Sequence, residues 1–178
     1  MTLETLENPV TGETMHVLES NADTFVIEYA LRPHGRIPLE LFHPNVEQEF
    51  AVKSGEMHVT IDGEHLIIKA GEKKSSPPNS MHFQWNPHDE EVVAVETYRP
   101  AGRNHAFFKT LFRLAREGFT DQNGMPNFFY RIALFYEFDD TIRPAEKMPR
   151  LMISLLGPLA VALGYGKKVR ALGNLESP

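Results

Sequence analysis

The chain has 178 residues, 42% apolar and 24% charged, a composition that fits one globular unit with an appendage and excludes wholesale disorder. It has no cysteine, so disulfides and thiolate chemistry are excluded, and a transition metal would have to rest on histidine, carboxylate or amide oxygen. The net charge of −6 hides two compositions: residues 1–102 hold 7 basic and 17 acidic residues, net −10, and residues 103–178 hold 11 and 7, net +4.

The first hundred residues read as strands. Pro9 and Thr11-Gly12 punctuate a short N-terminal hairpin, and Thr24–Leu31 (TFVIEYAL) is rich in β-branched and aromatic residues. Met57–Ile61 alternates, with Met57, Val59 and Ile61 on one face and His58 and Thr60 on the other. Asp62-Gly63 is a hairpin turn, and Leu66–Ala70 is the return strand. Val92–Tyr98 is a further strand, stopped by Pro100. Short strands with regular turns predict an all-β sandwich or barrel over residues 1–102.

The period changes near Gly102. Phe107, Phe108, Leu111, Leu114 and Ala115 follow a helical spacing that ends at Gly118. A second helix starts around Pro126 and runs to about Phe138, and a third follows Pro144. The third contains 16 uncharged residues, Leu151–Gly166, which is shorter than the roughly 20 a membrane span needs and is interrupted by Pro158. Basic residues flank it: Lys147 and Arg150 before, Lys167, Lys168 and Arg170 after. Packing on the barrel or on a second subunit is the ordinary outcome, and peripheral membrane contact is the alternative. Residues 103–178 are thus expected to be a helical extension.

Two motifs carry a resemblance. Gly71, Pro77, His82 and Asn86 fit G-x5-P-x-G-x2-H-x3-N, with Asn79 at the glycine position, where asparagine tolerates positive φ. Gly35, His43 and Gly55 fit the anchors of G-x5-H-x-H-x4-E-x6-G. In this order, around an Asp-Gly hairpin, they make the chain resemble the cupin superfamily. ENPVTGE, FHPNVEQEF, NGMPN and LLGPLAVALGYG look like bacterial single-cupin proteins with a helical C-terminal extension. The resemblance implies a double-stranded β-helix, or jelly-roll barrel, followed by about three α-helices. It implies an architecture more than an activity.

It also implies a metal site with three ligands from the first motif and one from the second. These fall on Leu41, His43, Gln48 and His82. Leu41 cannot bind a metal, and Gln48 offers a neutral oxygen where a carboxylate is expected, so His43, His82 and Gln48 make a degenerate site. It would hold at most a weakly bound divalent metal such as Zn, Ni, Fe or Mn, and no cofactor is certain. If Gln48 points inward, so do Phe50 and Val52, while Glu47 and Glu49 point outward. Glu28 and Glu96 each sit in an otherwise apolar strand; either could line the barrel, although facing solvent is the ordinary outcome for both. Phe83 and Trp85, of opposite parity to His82, are expected between the sheets or under the C-terminal helices. The other six histidines, His16, His34, His58, His65, His88 and His105, show no ligand spacing and read as surface or turn residues.

Without a metal the same residues make a pocket. Leu39, Leu41, Phe50 and Val52 supply apolar wall, and His43, Gln48, His82 and Gln84 supply polar contacts. The expected function is binding of a small organic molecule in the barrel. Two alternatives stay open: a metal-dependent dioxygenase, isomerase or decarboxylase using His43 and His82, and an interaction module docking through its helices. The acidic barrel and the lack of a basic aromatic stripe argue against nucleic acid. A homodimer is expected, to cover the apolar helix. The acidic N-terminus lacks a signal-peptide pattern, so the expected compartment is the cytoplasm.

Overall fold

A computed structural model describes residues 2–175; Met1 and the last three residues of the helical extension, 176–178, lie outside the described residues. The strands are β1 (Glu4–Glu7), β2 (Thr14–Ser20), β3 (Phe25–Leu31), β4 (Leu41–Phe42), β5 (Glu47–Ser54), β6 (Glu56–Ile61), β7 (Glu64–Lys69), β8 (Lys73–Ser76), β9 (His82–Trp85), β10 (Val92–Arg99) and β11 (Arg143–Pro144). The helices are α1 (Asn104–Arg116), α2 (Phe128–Glu137), α3 (Lys147–Ala162) and α4 (Tyr165–Gly173). The strands form two antiparallel sheets, ordered β1-β2-β3-β10-β5-β8 and β11-β4-β9-β6-β7. The fold is a double-stranded β-helix with C-terminal helices.

Alternation decides which side chains enter the barrel. On β5, Gln48, Phe50 and Val52 are buried, and they stand opposite Tyr98, Glu96 and Ala94 of β10. The β6–β7 hairpin turns at Asp62 (φ 50°) and Gly63 (φ 83°), the two positive φ values its tight turn requires. Asn79 is at φ 68°, as its motif position predicts. Phe50, Val52, Met57, Val59, Ile68, Val92 and Ala94 pack into a solid core between the sheets.

The helices lie against the barrel. Phe112 of α1 joins Val17, Phe25, Ile27 and Tyr98 in one cluster. Phe107, Leu134, Phe135, Ile142 and Val169 form a second, on which Leu39 and Leu41 of the barrel rest. The opposed charges of the two segments meet here. Glu4 lies 2.9 Å from both Lys109 and His105, and Glu7 lies 4.0 Å from Arg116. Such partly exposed pairs contribute at most about 1 kcal/mol each, so they orient α1 more than they hold it.

The uncharged stretch expected as one helix is split between α3 and α4, which meet at 90°. Gly164, at φ 93°, makes the break, while Pro158 is accommodated within α3. Among the described residues no single helix is long and apolar enough to cross a membrane. The buried side of α3 carries Ile153, Gly157 and Ala160, whereas Met148, Leu151, Met152, Leu155, Leu159 and Leu163 are exposed. At Gly157, a Cβ would overlap the Tyr136 ring of α2. Gly157→Val should therefore separate α2 from α3 and lower stability by about 1–3 kcal/mol. Urea unfolding of the two proteins measures this, and an unchanged midpoint would mean that the Tyr136 ring swings clear at no cost.

Candidate functional site

The polar groups of the barrel gather around one buried carboxylate. Glu96 points inward from the middle of β10, and Tyr29 of β3 donates a 2.6 Å hydrogen bond to its Oε1. Gln84 Nε2, from β9, donates to the same oxygen at 2.7 Å, and the Tyr98 hydroxyl donates to Oε2. Gln48 Nε2 in turn donates to the Tyr98 hydroxyl at 3.2 Å. Burial pushes the Glu96 carboxyl above its usual range, against the pull of these donors. Burial and the neighbouring Glu96 carboxylate push both tyrosines well above theirs.

With both amide nitrogens committed to this network, the other ends of the two glutamines are left over. Gln48 Oε1 and Gln84 Oε1 are buried and have no hydrogen-bond partner. Beside them stand His43 and His82, their rings stacked with centroids 5.4 Å apart. His43 Nδ1 donates to the Thr141 carbonyl at 2.8 Å, and His82 Nδ1 donates to the Ser80 carbonyl at 3.2 Å. These bonds select one tautomer, so Nε2 carries the lone pair in both rings. Burial lowers His43 to about 4, against smaller raising effects of Thr141 and Gln48. Burial, and then repulsion from His43, lowers His82 to about 3. Both imidazoles are neutral at pH 7.

These groups form one end of a cavity of about 390 Å³. Much of its remaining wall is apolar, with Leu31, Leu39 and Leu41 from the barrel and Phe107, Leu111, Leu134, Phe135 and Ile142 from the helices and their connections, while Glu13, Arg32, Arg36 and Glu91 bring charge to its rim segments. The turn at Asn8–Met15, the segment Arg32–Leu39 and the loop Asn123–Pro126 complete the lining. Gly124 (φ 76°) lets this loop close on the turn, since a Cβ would come within 2.7 Å of the Thr11 methyl and 2.9 Å of Asn8 Nδ2.

Of the residues expected in the pocket, the structure places Leu39, Leu41, His43, Gln48, His82 and Gln84 on the cavity. Phe50 and Val52 are corrected: they point inward as parity predicts, but they are packed into the solid core below the cavity. Glu28 and Glu96 part company. Glu28 faces out and binds Lys53 at 2.6 Å, whereas Glu96 is the hub of the site. Tyr29 and Tyr98 were absent from the expected set, although Tyr98 shares the parity of Glu96 on β10. The helix-borne walls had no signal beyond general apolarity. Phe83 and Trp85 lie neither between the sheets nor under the helices; they occupy the outer face of the five-stranded sheet, with Trp85 stacked on His65 at 5.2 Å.

The metal site implied by the family resemblance does not fit this arrangement well. Leu41 occupies one ligand position, and both Glu96 oxygens are engaged by tyrosine and glutamine donors. Among the described residues, no carboxylate joins the two imidazoles within 4.8 Å, so the set is two nitrogens and neutral amide oxygens. A divalent cation held there would lack a charged ligand. A His/Glu group that could hold a metal lies elsewhere, at Glu56, His58 and His88.

Two sheets wound into a double-stranded β-helix, closed at one end and hollow at the other, define a class of barrel. Residues 27–98 match the family model of the cupin domain. Solved structures resembling it include an uncharacterised protein with a double-stranded β-helix domain from Klebsiella pneumoniae (23% identity, covering 50% of this chain and 77% of that one, TM-score 0.46). An RmlC-like cupin from Shewanella frigidimarina is 22% identical, over 57% of this chain and 86% of that one, with a TM-score of 0.48. A Thermus thermophilus protein is 17% identical, over 52% and 87%, with a TM-score of 0.48. No curated protein sequence matches the chain.

Proposed function

We propose that the barrel binds a small organic molecule with a hydrogen-bond-donating or cationic head and an apolar body. One observation carries this reading: Gln48 Oε1 and Gln84 Oε1 are buried without partners beside two neutral imidazoles. An unpaired buried acceptor costs about 1–3 kcal/mol, which a ligand donor would recover. The head is therefore an ammonium, an amide N–H or a cluster of hydroxyls. A carboxylate head would meet four lone pairs and the Glu96 carboxyl. The apolar walls fit the body, and the cavity volume lies in the range of small-molecule sites.

Thermal-shift screening in EDTA tests this with paired compounds that share an apolar body and differ in the head. Amines or polyols at 100 times Kd should raise the melting temperature by about 5–10 °C, and the matched carboxylates should not. Gln48→Leu should abolish the shift. Equal shifts from carboxylates, or none from any donor, would count against the reading. A shift produced by zinc or nickel alone, reversed by EDTA and lost in His43→Ala, would instead support a weakly held metal on His43, His82 and Gln48, the starting point for a metal-dependent activity.

A further inference from the structure

A second cluster lies on the outer face of the five-stranded sheet, away from the cavity. Glu56 and His58 are two apart on β6, so they share one face. His65, on β7, stands opposite Thr60 of β6, and His88 comes from the loop between β9 and β10. Glu56 Oε1 lies 3.4 Å from His58 Nε2 and 3.1 Å from His88 Nε2. The ligand atoms of all three residues lie within 4.8 Å of one another.

We propose that Glu56, His58 and His88 bind one zinc ion, with its fourth position open to solvent. In a tetrahedral site with bonds of about 2.0–2.1 Å, ligand atoms stand about 3.3 Å apart. The two edges from Glu56 Oε1 bracket that spacing, and the His58–His88 edge is within 4.8 Å, so the imidazoles need only close toward each other to complete the set. The set is two imidazoles and one carboxylate, which suits zinc, nickel or copper over magnesium or calcium. The surroundings support the first ligands. His65 Nε2 lies 3.0 Å from His58 Nδ1, so a His58 bound through Nε2 would donate its Nδ1 proton to His65 and be fixed in orientation. His65 is itself stacked on Trp85. The His88 backbone N–H donates to Asn86 Oδ1 at 3.0 Å, and Asn86 is buried and holds Leu31, Arg32 and Glu90 carbonyls through Nδ2. The loop is thus anchored before any ion arrives. The side chains of Glu56, His58 and His88 are 30%, 15% and 44% exposed, which leaves an entry path. Lys69, 3.8 Å from Glu56 Oε2, competes for the carboxylate and would have to move aside.

Trp85, the single tryptophan, has its ring 5.4 Å from that of His58 and reports on the site directly. Protein without an affinity tag is titrated with nickel while Trp85 emission is followed, and zinc is then added to displace the quencher. Quenching should saturate at one equivalent, and zinc should reverse it. His88→Ala and Glu56→Gln should each weaken binding at least tenfold, and His65→Ala about 10-fold or more through loss of orientation. The doubly substituted His43→Ala/His82→Ala protein should bind as the wild type does, which separates this site from the cavity. Quenching unchanged in both His88→Ala and Glu56→Gln, no saturation at one equivalent, or loss of binding in the cavity variant would overturn the proposal.

Discussion

Replacing Glu96 by leucine should destabilise the protein by about 3–5 kcal/mol, because three buried donors lose their acceptor at once. Tyr29, Tyr98 and Gln84 all hydrogen-bond to that carboxylate, and each unsatisfied buried group costs about 1–3 kcal/mol. Part of the loss is offset, since the cost of burying the carboxylate itself disappears. The expected melting temperature falls by about 10 °C or more for a chain of this size. Glu96→Gln keeps the shape but puts an amide N–H against at least one existing donor, so it should fall between leucine and wild type. If Glu96→Leu melts with the wild type, the carboxylate is not the hub of the barrel. The same substitution should also impair ligand binding, because Gln84, and Gln48 through Tyr98, are aimed by their bonds to this cluster.

Acidification should be the second large effect. An unfolded histidine titrates near 6.5, whereas His43 and His82 are lowered to about 4 and about 3 by burial. The unfolded chain therefore binds protons that the folded chain refuses. The stability linked to the pair is fully present above pH 6.5 and is lost as the pH falls toward the folded values. Between pH 6.5 and 5.5 the two groups should together remove about 2 kcal/mol, or about 4–8 °C of melting temperature. Glu96 acts with the opposite sign, since a carboxyl raised by burial takes up its proton more readily in the folded state. Melting curves from pH 8 to 5 should show the decline in the wild type and a flatter profile in His43→Asn/His82→Asn. An equal slope in both would place the acid sensitivity elsewhere.

The barrel was legible because its signals are local and redundant. Asp62-Gly63 names its own turn, Asn79 and Gly55 fix the motif register, and Gln48, Phe50 and Val52 follow from the two-residue repeat of β5. Parity reports which side of a strand a residue takes, but it does not report depth along the barrel. That is why Phe50 and Val52 fall in the packed end while Gln48 reaches the cavity. Glu96 illustrates a second limit. A lone acid in an apolar strand ordinarily faces water, and only the arrival of Tyr29 from β3, Gln84 from β9 and its own neighbour Tyr98 makes an inward position tolerable. The outer histidines were hidden differently. Glu56 and His58 lie on one strand face and could be paired from sequence, but His88 joins them only through the path of the β9–β10 loop. The α3–α4 break was available in Gly164, which reads equally well as an ordinary helical glycine until its φ of 93° is seen.

If the cavity binds a small molecule as proposed, the position of Phe107, Leu111, Leu134, Phe135 and Ile142 on it divides selectivity along the chain. All five lie outside residues 27–98, the stretch that matches the cupin domain model. The barrel supplies a fixed polar floor, and the appended helices supply the ceiling that measures length and girth. Substitutions confined to the ceiling can retune which molecule fits while the floor and its hydrogen-bonded hub stay intact. Two chains with nearly identical barrels and different helical extensions would thus choose different ligands.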